Sequence, residues 1–371
     1  MLLSPINTGV TMKVFKILFF ILTISLFSQT TPDKLLLNDF RPQNIYNVPK
    51  SKIEKAKFPV IDMHSHAYVT SEEELDLWVK NMDEAGIEKT VVLSYAYGEK
   101  FDSLVTFYGK YPDRFELWCG FDYTGYDEPG FGPAAVKELE RCYKMGAKGI
   151  GELGDKGKGL FYCKPPAYGM HIDDNRMDPL LEKCAELGMP VNIHVGEPQW
   201  FYETMDSTND GLMNAYSWRL DNQEGLKLDE VVQTLENAVA KHPNTIFIAC
   251  HLANLNTDLE KLGRLFDQYP NFYADISARY AEQAPVPRYT KAFFEKYQDR
   301  LFYGTDMGFE KSMYEVTFRI LESLDEHFYE IDLFNYHWPL YGLGLSDSAL
   351  KKLYHENAES LYRKIRVRSV K

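Results

Sequence analysis

Short apolar runs alternate with amphipathic stretches from residue 59 almost to the end of the chain. The first run, PVIDM at 59–63, is followed by a segment, 72–85, that spaces Leu75, Trp78, Val79, Met82 and Ala85 three and four residues apart, as on one face of a helix. KTVVLSY (89–95) and FELWCGFD (115–122) are the next β-rich runs, and 134–145 is again helical in period. AKGIGEL (147–153), a helix near 177–187 and MPVNIHV (189–195) come next, before a long, poorly periodic segment that reaches about residue 227. Beyond it, helices at 228–241, 256–268, 290–297 and 312–324 alternate with TIFIAC (245–250), NFYADIS (271–277) and RLFYGTD (300–306), and a last helix spans 347–364. Eight strand candidates separated by helices predict parallel strands with helical crossovers. Eight such units is the count of a closed (β/α)8 TIM barrel, here an α/β fold with a long insertion after strand 5. A doubly wound open sheet would show the same alternation.

The first 57 residues do not share this pattern. Lys13 and Lys16 precede an apolar run, Ile17 to Phe27, broken only by Thr23 and Ser25, and Ser28, Gln29 and Thr30 follow it. A basic stretch, an apolar core of about 7–15 residues and small polar residues after it describe a secretion signal. Residues 1–30 are therefore expected to be a leader, with the signal proper at about 12–30. The run falls short of the about 20 residues that span a bilayer. The expectation is export to the periplasm or beyond, with no stable membrane insertion once the signal is removed; an uncleaved anchor is the alternative. Residues 31–57, with Pro42 and Pro49, read as an irregular arm ahead of a barrel at 58–365.

Composition narrows the function classes. A formal charge of −13 argues against a nucleic-acid partner and leaves a small-molecule substrate. Five widely spaced cysteines without a C-x-x-C pair exclude a small disulfide scaffold and give no support to a structural zinc knuckle; buried thiols are expected, with one bridge in an oxidising compartment as the alternative. The 25 Tyr and 23 Phe suit a ring-lined pocket as well as a large core.

The chemistry-bearing residues sit where the strand runs stop. His64 and His66 follow the first run one residue apart, and on extended backbone residues i and i+2 share a side. His194 ends the fifth run, His251 directly follows the sixth, and Asp306 follows the eighth. In a barrel all these ends meet at one rim, where barrel active sites are built. Imidazoles with a carboxylate form a donor set for Zn²⁺ or Mn²⁺. Trp200 and Trp218 in the insertion, and Arg279 and Tyr280 after the seventh run, are candidate substrate contacts. A segment as long as the insertion is a pocket wall or a subdomain packed on itself. Arg279 would clamp a substrate carboxylate or make a structural ion pair.

D-x-H-x-H at Asp62–His66, His194 in NIHVGEP, His251 in ACHLAN and Asp306 in YGTD form an ordered set that resembles the amidohydrolase superfamily. The nearer resemblance is to its amidohydrolase-related branch, which includes amino-carboxymuconate-semialdehyde decarboxylase and several lactone hydrolases. LYHENAESLY (353–362) is similar to the helix that closes that branch, so the resemblance covers roughly residues 59–362. It implies one divalent metal, zinc ahead of manganese, held by His64, His66, His194 and Asp306. It implies catalytic roles for His251, which polarises a carbonyl or shuttles a proton unless it is a fifth ligand, and for Asp306, which accepts a proton from water. Glu152, in GIGEL, ends the fourth strand where some members carry a bridging carboxylate; here it is expected to support the ligands or touch the substrate, so that one metal is favoured over two. The implied activity is hydrolysis of an ester, lactone or amide bond by metal-activated water. Non-oxidative decarboxylation is the alternative, and a catalytically inactive binding barrel the third reading. The resemblance also implies a homodimer.

Overall fold

The computed structural model describes residues 31–368, so the leader expected at 1–30 lies outside the described residues. The chain divides at Phe40/Arg41. Residues 31–40 carry a single 3-10 turn, Leu37–Asp39. Residues 41–57 have no helix or strand but belong to the larger unit, which they join through side chains: Ser51 N and Oγ donate to the Asp325 carboxylate at 2.9 and 2.8 Å, and Lys57 N donates to Glu322 at 3.0 Å.

Eight parallel strands form at the eight apolar runs: β1 (Val60–Ser65), β2 (Ile87–Leu93), β3 (Phe115–Trp118), β4 (Ile150–Asp155), β5 (Val191–Val195), β6 (Phe247–Ala249), β7 (Phe272–Asp275) and β8 (Leu301–Phe302). They are almost wholly buried, as strands covered by helices on one side and by each other on the other must be. They pair in sequence order as β1-β2-β3 and as β4 through β8. Backbone hydrogen bonds continue across both gaps. Cys119 N donates to Gly149 O (3.0 Å) and Gly151 N to Cys119 O (2.9 Å) between β3 and β4. Met63 N donates to Tyr303 O (2.9 Å) and Asp306 N to His64 O (3.0 Å) between β8 and β1. The fold is a TIM barrel.

The longer helices are α1 (Glu72–Ala85), α2 (Gly98–Tyr108), α3 (Pro133–Lys144), α4 (Asp178–Leu187), α5 (Leu212–Trp218), α6 (Leu228–Lys241), α7 (Leu259–Gln268), α8 (Pro287–Lys296), α9 (Lys311–Glu322) and α10 (Asn357–Arg368). In α1, Ser71 and Glu74 form a reciprocal cap, Gly86 ends the helix at φ 84°, and Leu75, Trp78, Met82 and Ala85 face the core. The last helix departs from the expected unbroken 347–364. A wide turn at Lys352–Glu356 interrupts it, because the Leu353 carbonyl accepts from Tyr303 N at 2.9 Å instead of serving its own helix. Below that turn, Ala358 and Leu361 pack with Ile61, Met63, Val91, Leu93, Trp118, Ile248 and Phe302. Alternate residues of the strands thus meet inside the ring, and α10 closes its N-terminal end. Each such apolar side chain contributes about 1.5–3 kcal/mol on full burial.

The insertion after β5 folds as a turn at Gln199–Phe201 and α5, fastened by Leu226 N to Gly157 O (2.9 Å) and Asn335 Nδ2 to Met213 O (2.9 Å). All five cysteines are buried and unpaired. Among the described residues no helix is long and apolar enough to cross a membrane.

Asp325 is the buried post that fastens Ser51, since it also accepts from Arg319 Nε at 2.8 Å. Asp325→Ala leaves these donors without an acceptor and should lower stability by about 1–3 kcal/mol. The check is a lower urea midpoint with an unchanged slope.

Candidate metal centre

The backbone departs from regular strand geometry at several strand ends around the candidate ligands. β1 slips register between Asp62 and Ser65, a bulge of the kind that re-aims side chains. His64 and His66 turn toward one centre, their rings 5.2 Å apart and nearly perpendicular. Past β2, β6, β7 and β8 the chain enters the left-handed region at Tyr95 (φ 54°), His251 (φ 58°), Ala278 (φ 52°) and Asp306 (φ 53°). Non-glycine residues held there cost on the order of 1–3 kcal/mol and persist only where the surroundings over-determine them. His251 N is tied to Asp275 Oδ1 at 2.9 Å, and Asp306 N to His64 O at 3.0 Å. Behind Tyr95 stands Gly120, where a Cβ would lie 2.3 Å from the Tyr95 carbonyl oxygen.

Each imidazole gives one nitrogen to an acceptor and turns the other inward. His66 Nδ1 donates to the Leu93 carbonyl (2.9 Å), His251 Nδ1 to the Ser277 carbonyl (2.9 Å), His64 Nδ1 to Asp275 Oδ2 (3.0 Å) and His194 Nε2 to the Gly196 carbonyl (2.8 Å). Those oxygens only accept, so in the neutral rings the inward nitrogens carry lone pairs. They face two carboxylates. Glu152 Oε1 is 2.9 Å from His194 Nδ1 and 3.4 Å from His251 Nε2, and its Oε2 is 3.4 Å from His66 Nε2 and 3.9 Å from His64 Nε2. Asp306 Oδ1 is 2.9 Å from His66 Nε2 and 3.6 Å from His64 Nε2, with Oδ2 3.6 Å from His251 Nε2. Four lone pairs set against two carboxylates repel one another unless a cation stands among them. His64 Nε2, buried without a hydrogen-bond partner, is the atom that states this most directly. The donor set fits a divalent metal.

The local field agrees. Burial opposes a charge on His64, but Asp275, Asp306 and Glu152 outweigh it and push its pKa up to about 10. His66 and His194 are raised against burial in the same way, by Asp306 and Glu152 and by Glu197 and Glu152. Burial lowers His251, with His194 and Arg279 adding to the effect. Asp306 and Glu152 are held well below the usual carboxylate range, against burial, by the surrounding histidines. A metal takes the place of the protons this field attracts.

Behind the histidines stands Asp275. Its buried carboxylate accepts from His64 Nδ1, from His251 N, from Ser277 N (3.2 Å) and Oγ, and from Asn192 Nδ2 (3.2 Å). Asp275 is not among the candidates from the sequence, although its position carries a signal: an acid in a strand that is otherwise apolar and aromatic. Tyr95 was also missed. Its ring stacks on His66 at 4.9 Å, and its hydroxyl lies 3.0 Å from His66 Nε2 and 3.4 Å from Glu152 Oε2. Nothing in the sequence sets it apart from the other tyrosines.

The sequence matches the amidohydrolase family over residues 82–364. The chain belongs to that family. No curated protein matches it by sequence. Solved structures share its fold at low identity. A 2,6-dihydroxybenzoate decarboxylase from Rhizobium is 18% identical, with 83% of this chain and 99% of that one covered and a TM-score of 0.51. An uncharacterized TIM-barrel protein from Bordetella bronchiseptica gives 16%, 83%, 100% and 0.52. A 5-carboxyvanillate decarboxylase from Novosphingobium aromaticivorans, complexed with manganese and 4-hydroxy-3-methoxy-5-nitrobenzoic acid, gives 15%, 85%, 100% and 0.51.

In this amidohydrolase the centre opens into a cavity of about 680 Å³, walled by Tyr162, Phe201, Trp218, Phe334 and Tyr336. The sequence candidates separate here. Glu152 lies among the four histidines, closer in than expected. Trp218 lines the cavity at its exposed rim. Trp200 does not line it and packs against Trp338 at 5.5 Å, so the insertion is part pocket wall and part self-packed. Tyr280 is buried away from the cavity, its hydroxyl donating to the Thr305 carbonyl at 2.6 Å beside Asp306. Arg279 lines the cavity but is engaged in ion pairs with Glu197 and Glu282. Asp62 accepts from His64 N (3.2 Å) and Thr305 N (3.0 Å), which joins the end of β1 to the segment carrying Asp306.

Asp275→Asn keeps the shape and removes the charge behind His64. Metal affinity should fall about 10–100-fold, measured by competition with a chelator, while the far-UV circular dichroism stays unchanged.

Proposed function

We propose that this amidohydrolase is a metal-dependent, non-oxidative decarboxylase acting on a small, ring-bearing carboxylate. The observation that carries the reading is the set of inward nitrogens of His64, His66, His194 and His251 around Glu152 and Asp306, at the base of an aromatic-walled cavity. His64, His66, His194 and Asp306 are assigned as ligands, and Glu152 joins them on the strength of its position. Manganese and zinc both suit such a nitrogen and oxygen set. When bound, the metal supplies a Lewis acid that orients the substrate carboxylate and stabilises developing charge.

The remaining work falls to the chain. Ser277 fixes the tautomer of His251, so that Nε2 faces the cavity; its lowered pKa keeps the ring neutral and able to take or return a proton. Asp306 Oδ2, 3.6 Å away, is its partner in moving that proton. Carbon dioxide leaves with its carbon–carbon bond broken, and the carbon it leaves receives the proton. Support for decarboxylation over hydrolysis comes from the barrels that share this fold, among them the two decarboxylases above. One observation favours hydrolysis instead: a carboxylate shared by four imidazoles can hold a second cation beside the first, and paired metals serve attack by water on an ester, lactone or amide.

The purified protein should carry about one manganese or zinc ion per chain, and the His64→Ala/His66→Ala variant none, by elemental analysis. Carbon dioxide release from hydroxybenzoates supports the first reading; turnover of lactones or aryl esters without it supports the second. A metal-free protein that cannot be loaded overturns both. His251→Asn should keep the metal and lose about 10²–10⁴-fold in turnover. An emptied site in that variant would make His251 a ligand.

A further inference from the structure

Two cations line the cavity, Lys156 and Arg279, and both are already engaged by the protein. Arg279 is only 8% exposed. Its Nε and Nη2 donate to Asn254 Oδ1 at 2.9 and 2.7 Å, and its Nη1 donates to the Ala278 carbonyl at 3.1 Å. Nη1 also faces Glu282 Oε1 at 3.4 Å, and Nη2 faces Glu197 Oε2 at 3.5 Å. A guanidinium has five N–H groups in a fixed fork, and here the protein meets that fork on every side. Lys156 Nζ pairs with Glu197 Oε1 and lies over the rings of Tyr162 (5.8 Å) and Trp218 (5.6 Å).

One acid is less fully engaged. Glu282, on the short turn Tyr280–Gln283, is 4% exposed and lines the same cavity. Its Oε1 accepts from Tyr336 Oη at 2.9 Å, while its Oε2 is buried without a hydrogen-bond partner. Glu197 lies 3.6 Å from His194 Nε2, so a chain of contacts runs from the centre through Glu197 and Arg279 to Glu282. Once Glu152 and Asp306 are assigned to the metal, Glu197 and Glu282 remain in the wall beside Lys156 and Arg279, while Asp332 stands at the exposed rim paired with Arg41 at 3.6 Å.

We propose that this wall sets substrate specificity: it accepts a substrate whose portion away from the metal is neutral or cationic and donates hydrogen bonds, as a hydroxyl or amino group does, and it rejects a second carboxylate or a phosphate. The proposal rests on the metal-dependent reading only for how the first carboxylate is held. A second anion in the cavity meets carboxylates and finds both cations taken, the kind of like-charge contact that excludes wrong partners. A donor group meets acceptor oxygens.

The test is calorimetric titration of the manganese-loaded protein with three matched ligands: 3-(hydroxymethyl)benzoate, 3-(aminomethyl)benzoate and isophthalate. Isophthalate should bind at least about 10-fold more weakly than the other two. Glu282→Gln removes one acid partner of Arg279 and should shrink that ratio severalfold. The proposal is overturned if isophthalate binds as tightly as 3-(hydroxymethyl)benzoate, including the case in which neither binds below about 1 mM, or if a folded Glu282→Gln variant keeps the ratio. The wild-type comparison decides alone if that variant does not fold. Titration of the metal-stripped protein separates the two readings. Binding that survives with its ratio intact removes the metal-dependent reading and leaves the wall, whereas a lost ratio with metal in place does the reverse.

Discussion

The arrangement of the centre depends on one buried carboxylate. A charge taken out of water is tolerated only when donors surround it, and Asp275 is met by donors from His64, Asn192, His251 and Ser277. Those donors come from β1, from β5, from the second residue after β6, and from the second residue after β7. Satisfying the charge therefore ties four strands to one another. It also decides chemistry, because a carboxylate behind Nδ1 of His64 fixes that ring with its Nε2 lone pair inward. Ser277 repeats the device for His251 through its carbonyl, and Leu93 does so for His66.

The barrel separates its tasks along its axis. At the N-terminal end, α10 closes an apolar cluster drawn from alternate strand residues. At the other end stand the left-handed residues Tyr95, His251, Ala278 and Asp306. Backbone of this kind is kept where the surroundings hold it, and here buried side chains and strand-end amides do so. The polar end of a barrel is where chemistry is built, and the apolar end is where stability resides.

The cavity completes this division. Its aromatic walls suit a ring, its base suits a cation, and its charged groups are mostly paired before any substrate arrives. A barrel alone does not choose a reaction. What narrows the choice here is the placement of particular groups: Glu152 among four imidazoles, His251 with its tautomer set from behind, and Arg279 engaged by Asn254, Glu197 and Glu282.

Much of this was legible before any coordinates. Each strand forms at an apolar run, since a parallel strand buried on both faces must be apolar almost throughout. The pairing of His64 with His66 is local, two residues on one strand end, and His194, His251 and Asp306 each mark the end of a run. What the sequence could not decide were positions set by distant partners. Asp275 meets His64 across 211 positions, and Glu152 meets His194 across 42. The interrupted last helix depends on Tyr303 capturing the Leu353 carbonyl, which no helical periodicity records. Arg279 as a free clamp and Arg279 as an engaged ion pair read identically in one dimension, and Asn254, 25 residues away, tips it toward the second. Sequence by itself determined which residues end each strand, because burial and local spacing are properties of a segment. Only the closed barrel decided which of those ends face one another, because charge pairing and ring tautomers are properties of the space the strands enclose.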